Sequence, residues 1–326
     1  MICNRDMEIP YVANRKSDWR MGMKRRGFTL IEMLVVLGLV LVLVAGVLVY
    51  LGARGGNNTS VNATARTLKD ATQLRGIGQG MVLWADANDD RYPMPSMVDV
   101  NNTTVAATGR AKDTTGNIMS ILAGHGFITT ELLISSDEQN ENIKAYEMYE
   151  VEEPRAAADP SRAHWDPGLS ADFTSGQGGH VSFAHLIPDD NRLNMWTNTY
   201  KASEAVLANR GPEIARVQRA NGNTVPTFAN AQSLTTQFFQ SAVYAWSGNV
   251  AYNDNHVDFN GDLYTHNTGS GATSGHNPIA VDNPDGSTTD YHDVLFHDEE
   301  GYPSNLFLGI FTQAGSTKDQ YKAIWD

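Results

Sequence analysis

KRRGFTLIEMLVVLGLVLVLVAGVLVYLGAR, Lys24–Arg54, decides how this 326-residue chain is built. From Met33 to Ala53 run 21 residues without a charge, enough to cross a bilayer as a helix at ~1.5 Å per residue. The basic cluster Lys24-Arg25-Arg26 before it would hold that end in the cytoplasm. Glu32 breaks the pattern, because a carboxylate at the head of an apolar span is costly to bury and needs a partner. A cleaved secretory signal has a shorter apolar stretch of ~7–15 residues with a small-residue cleavage site after it. This run is longer and ends in Gly-Ala-Arg-Gly-Gly. A plain membrane anchor fits the length. A third reading rests on the order of the parts: basic cluster, Gly27, Phe28, Thr29, Leu30, Ile31, Glu32, then the apolar helix.

In that order, RRGFTLIEMLVVL resembles the class III signal of type IV pilins and type II secretion pseudopilins. The resemblance implies that a prepilin peptidase cuts between Gly27 and Phe28 on the cytoplasmic side, that the new Phe28 amine is methylated, and that Glu32 serves filament assembly. Physics supplies a reason for the carboxylate. A cationic amine at Phe28 adds to the partial positive charge of a helix N-terminus, so Glu32 is favourable within one subunit and can meet the Phe28 amine of a neighbour. Such a buried pair adds little net stability but sets register, because a misplaced one is costly. Translation from Met23 would give the compact leader Met-Lys-Arg-Arg-Gly, so residues 1–20 are expected to be a start-site artefact.

Beyond the membrane segment there is no cysteine, since Cys3 is the only one. This excludes intrachain disulfides and cysteine-based metal or nucleophile chemistry. The formal charge is −13, yet residues 1–27 hold seven Lys/Arg against three acids, leaving −17 on the rest. A surface of that sign repels nucleic acid and attracts divalent cations.

After a Gly/Asn-rich weak point at 52–58, Leu68, Ala71, Leu74, Ile77, Met81 and Ala85 recur every three or four residues, with Arg66, Lys69, Asp70 and Arg75 between them. This predicts an amphipathic helix laid on a sheet and ending before Pro93. Gly76, Gly78 and Gly80 lack the spacing and the preceding strand of a phosphate loop, so they are read as close-packing positions. QLRGIGQGMVLWADANDDRYP (Gln73–Pro93), ILAGHGFITTELLISSDE (Ile121–Glu138), AVLANRGP (Ala205–Pro212) and NVAYNDNHVDF (Asn249–Phe259) resemble, in order, segments of a large group of bacterial prepilin-like proteins with big globular heads. The chain departs from that group's His-x9-Asp-Gly mark at Tyr244 and Asn255.

NVAYNDNHVDF alternates on both sides of Asn253-Asp254-Asn255 and predicts a β-hairpin. Further strands are expected at Val181–Ile187, Ala205–Ala208, Ser241–Ala245, Val294–Phe296 and Leu306–Phe311. Glu152–Gly179 and Asn260–Pro278 read as surface loops, and STKDQYKAIW as a short helix capped by Ser316 with Asp319.

Nine histidines and many acids raise a metal-enzyme reading. His180/His185 and His292/His297 are five apart, which separates the rings on a strand or a helix, and no zincin, nucleophile-elbow or Walker motif occurs. Asp254, His256 and Asp258 are read as a solvated hairpin face. Asp282, Asp285, Asp290 and Asp293, in DNPDGSTTDYHD, form the candidate calcium loop, because hard oxygen ligands suit that ion and some pseudopilins carry calcium in a C-terminal loop. The spacing fails the EF-hand pattern, and ordinary turn chemistry explains the loop as well. No other cofactor is called for.

The expected protein is therefore α+β and pilin-like: leader 1–27, transmembrane and assembly helix 28–53, amphipathic helix 54–92, and an antiparallel β-rich head over 93–326 with long loops. Its expected role is that of a structural, non-catalytic filament subunit of a type IV pilus or secretion pseudopilus. Expected partners are further copies of itself and other pilin-like subunits, prepilin peptidase, the inner-membrane assembly platform and the membrane, with no nucleic acid. It would sit in the inner membrane with its head exported, then in a periplasmic or surface filament. The alternatives are a membrane-anchored exported binding protein, for which exposed Trp84, Trp165, Trp196 or Trp246 in a groove would point to glycan, or a metal-dependent hydrolase.

Overall fold

Helix α1, Asn58–Asp86, opens the part of the chain that the computed structural model describes: residues 58–176, 178–220, 223–229, 246–264, 279–282, 285–291, 293–299, 302 and 305–325. The leader and the apolar run 28–53 lie outside these residues. Among the described residues no helix is long and apolar enough to cross a membrane. The helix stops at Asp86, short of the residue 92 expected from periodicity, because Asp89 and Asp90 turn left-handed (φ 54° and 59°). That turn lets the Asp90 N–H return to the Ala85 carbonyl at 3.1 Å, and the Asn88 side-chain amide caps the Trp84 carbonyl at 2.8 Å.

Residues 59–326 form a single unit. Its centre is a six-stranded antiparallel sheet in the order β10-β9-β1-β2-β5-β6, formed by β1 Phe183–Leu186, β2 Ala205–Asn209, β5 Gly248–Tyr252, β6 Val257–Asn260, β9 Leu308–Gln313 and β10 Lys322–Ile324. β1, β2 and β5 are buried along their whole length, so the alternation read in β5 from its sequence does not separate a buried from an exposed face. The expected hairpin is β5–β6, with Val250 opposite Asp258 and Asn255 at φ 65° in the turn. Two further hairpins stand apart from the sheet: β3 Ile214–Ala220 with β4 Asn223–Phe228, and β7 Ile279–Asp282 with β8 Thr288–Tyr291.

Helix α1 runs along β5. The Asn249 side-chain amide donates to the Thr67 carbonyl at 3.0 Å, and Gly78 meets the β5–β6 turn, where a Cβ would come within 2.6 Å of Asn255 Oδ1. Leu74, Ile77, Met81, Trp84 and Ala85 enter the core. Short helix α2, Pro95–Val98, follows, and α3, Thr115–Gly124, packs against β1 and β9.

Several expectations need correcting. Leu68, assigned to the core face, is 69% exposed, whereas Asp70, assigned to the polar face, is fully buried. Val294–Phe296 is not a strand, because Val294 makes only an isolated bridge to Tyr264. The C-terminal stretch is one 3-10 turn, Lys318–Gln320, followed by β10, since the edge of β9 offers pairing that an exposed helix would leave unused. Gln320 Oε1, and not Asp319, accepts the Ser316 N–H at 2.7 Å. Ser241–Ala245 lies outside the described residues.

Candidate functional site

The flank of α1 facing away from β5 is covered by residues 127–137, a strap that contains the 3-10 turn Thr130–Leu133 and runs antiparallel to the helix. Glycine dictates how closely the strap approaches. A Cβ on Gly80 would come within 2.8 Å of Ile128 Cγ2, and one on Gly76 within 3.2 Å of Leu132 Cδ2. The sequence-based reading of these glycines as packing positions therefore holds. One turn back, the Gln73 side-chain amide donates to the Leu132 and Ile134 carbonyls at 3.2 and 2.7 Å. Asp70 accepts from the Ser135 hydroxyl at 2.6 Å, the Ser136 backbone N–H at 2.8 Å and the Asn209 side-chain amide of β2 at 2.9 Å. Arg66 closes the series on Asp137 at 2.9 Å. Beyond the strap, Glu138 takes a buried bidentate pair from Arg210, with Nη2 at 2.9 Å. Buried polar groups thus lock helix, strap and sheet together, with Gln73 Oε1 left without a partner, and Asp70 is the hub joining all three.

The remaining face of α1 is open. Leu68, Lys69, Thr72, Arg75, Gln79, Leu83 and Asp86 are exposed along it.

Of the residues expected to act, Gly27, Phe28 and Glu32 lie outside the described residues. Asp282 ends β7 opposite Thr288, and Asp290 sits in β8 opposite Ala280. Asp285 is exposed at the hairpin tip, where its carboxylate accepts the Ser287 N–H at 3.0 Å and hydroxyl at 2.6 Å, holding its proton affinity below the usual range. Asp293 is fully buried and accepts the Leu306 N–H at 2.7 Å. Asp285 and Asp293 are therefore engaged separately. Among the described residues no three His, Cys, Asp or Glu side chains are grouped to hold a metal ion.

A pair of carboxyls that sequence reasoning missed does converge. Burial, and then the charge of Glu299, push Asp293 well up, while burial raises Glu299 to about 7. Glu299 is ion-paired to Arg219 of β3, and nearby Arg192 is buried against Asp189 at 2.8 Å, against Asp298 and against the Asn305 carbonyl at 2.8 Å. Asp293 is fully buried and Glu299 only 4% exposed, so this cluster ties residues 293–299, Asn305 and the β3–β4 hairpin to the head, with neither of the two carboxyls open to a substrate. Sequence spacing gave no sign of it, because Arg192 and Arg219 come from distant segments.

The four tryptophans weighed as a glycan groove are core residues. Trp165, Trp196 and Trp246 are 1% exposed and donate to Asn117 Oδ1, the Pro93 carbonyl and the Arg210 carbonyl, while Trp84 packs edge-on against His125. Asp254 and Asp258 flank His256, whose ring stacks on Tyr252 at 4.4 Å, so both ring nitrogens face carboxylates of the same hairpin.

Residues 22–48 match the family model of the prokaryotic N-terminal methylation motif. That motif marks a type IV pilin-like protein processed by prepilin peptidase. No curated protein and no solved structure matches the chain.

Proposed function

We propose that this chain is a structural subunit of a type IV pilus or of a type II secretion-like pseudopilus. Prepilin peptidase cuts between Gly27 and Phe28, Phe28 is N-methylated, and the apolar run holds the subunit in the inner membrane until it polymerises. Glu32 then compensates the Phe28 amine of a neighbour inside an apolar bundle, fixing register because a misplaced charge there is costly. One observation carries the reading: the methylation motif spans residues 22–48, and within it Gly27, Phe28 and Glu32 stand in the order that such processing and assembly require. The described architecture is in keeping with it, since a 29-residue helix starting at Asn58 is pinned lengthwise to an antiparallel sheet.

Mass spectrometry of the native N-terminal peptide, with electron microscopy of the cell surface and periplasm, tests the proposal. It expects a chain starting at methylated Phe28 and filaments containing it. A mature chain that keeps Lys24-Arg25-Arg26, or begins after Ala53, overturns it. Glu32→Leu is expected to leave membrane insertion intact and abolish filaments; filaments at normal yield would refute the role given to the carboxylate.

A further inference from the structure

The open face of α1 has a bipolar pattern. At ~100° per residue, Leu68, Arg75 and Asp86 fall within ~20° of one line, with Leu83 ~60° to the side. The two leucines are 69% and 52% exposed. Lys69 and Arg75 mark the first half of the face, while Asp86, Asp89 and Asp90 mark its end; all five are exposed, and none has a side-chain partner among the described residues. The helix thus leaves two apolar side chains in water and separates unpaired positive charge from unpaired negative charge along its axis.

We propose that a second copy of this chain docks on this face in parallel, displaced along the helix axis by about 15 residues, or ~22 Å. That single displacement puts Leu68 of one copy opposite Leu83 of the other and brings Arg75 to the Asp89–Asp90 turn. Lys69 falls within a long side chain's reach of Asp86. An antiparallel arrangement also matches the leucines, but it sets the two Arg75 guanidinium groups face to face, and like charges there oppose docking. The parallel contact joins one end of the face to the other end of the next copy, so it does not close on itself and propagates. This rests on the filament reading above and names the contact by which heads follow one another.

The test uses the full-length chain in its membrane, in a Cys3→Ser background, with Leu68→Cys and Leu83→Cys made singly and together, mildly oxidised and separated without reductant. The two positions are ~22 Å apart within one helix, beyond the ~7 Å that a disulfide can span, so every bond formed in the double variant is intermolecular. A ladder extending past the dimer is expected from the double variant, with monomers from each single variant. Lys69→Glu with Arg75→Glu is expected to cut the ladder about fivefold or more, and Asp86→Lys, Asp89→Lys and Asp90→Lys added to that background restore it. Monomers from the double variant, a product that stops at the dimer, or a ladder indifferent to charge reversal each overturn the proposal. If wild-type filaments form while the double variant stays monomeric, the contact fails and the filament reading stands. A ladder together with normal filaments from Glu32→Leu upholds the contact, and the assembly role given to Glu32 falls.

Discussion

His185 should make the head lose stability as the pH falls below neutral. The ring is fully buried in β1 between Trp196 and Phe311, each 5.2 Å away. A single neutral tautomer satisfies its surroundings: Nδ1–H donates to the Leu186 carbonyl at 2.8 Å, and Nε2 accepts from Thr115 Oγ1 at 2.8 Å. Thr115 in turn accepts the Phe311 N–H of β9 at 2.7 Å. A second ring proton would turn Nε2 into a donor and leave the threonine hydroxyl without an acceptor, in a site with no compensating charge. Burial accordingly lowers the ring from 6.5 to about 4. The depressed value sets the sign. Above pH 6.5 the ring is neutral in both states and costs nothing; between 6.5 and 4 the unfolded chain takes the proton first, and stability drains away; below 4 the loss levels off. At ~1.4 kcal/mol per pH unit, the loss is about 3 kcal/mol by pH 4, roughly half of it by pH 5.2. Urea unfolding of wild type and His185→Gln from pH 7.5 to 4 isolates this contribution, because other groups act alike in both. The variant starts less stable at pH 7.5 and should then show the shallower decline. Parallel curves across that window would refute the reasoning.

Asp70→Ala strips the hub between helix, strap and β2, leaving the Asn209 amide and the Ser136 N–H buried without an acceptor; a loss of about 3 kcal/mol or more is expected in urea unfolding, and one under ~1 kcal/mol would contradict the hub. Gly80→Ala should destabilise by about 1–2 kcal/mol although alanine favours helix by ~1 kcal/mol, because its Cβ would sit 2.8 Å from Ile128; Gly76→Ala, facing a Leu132 methyl that can give way at 3.2 Å, should be near neutral, and the reverse order of melting temperatures would count against the strap packing. Lys112 is buried on the carboxylate of buried Asp99 at 2.9 Å, so Lys112→Met should cost about 3–5 kcal/mol, and adding Asp99→Asn should recover part of it; a strictly additive double variant would deny the pairing.

Local chemistry wrote part of this protein plainly. The spacing of Leu74, Ile77, Met81 and Ala85 fixed a helix and its inward line, because helical period is a property of the segment itself. The β5–β6 hairpin followed from Asn253-Asp254-Asn255, residues that tolerate a left-handed turn. The basic cluster, Gly27-Phe28 and Glu32 were legible as an ordered motif, since that signal is read as linear sequence. What period cannot convey is how wide the buried sector is or what lies across it. Asp70 is interior because Ser135, Ser136 and Asn209 arrive from 65 to 139 residues away to satisfy its carboxylate, and Leu68 is exposed because neither the strap nor β5 reaches it. The C-terminus became a strand for the same reason. Its own residues permit a helix, and only the free edge of β9 made pairing the better use of its backbone groups. Sequence alone determined the elements that short-range geometry can specify; the tertiary structure decided which polar groups are interior, because burial is tolerated only where distant segments supply the missing hydrogen bonds.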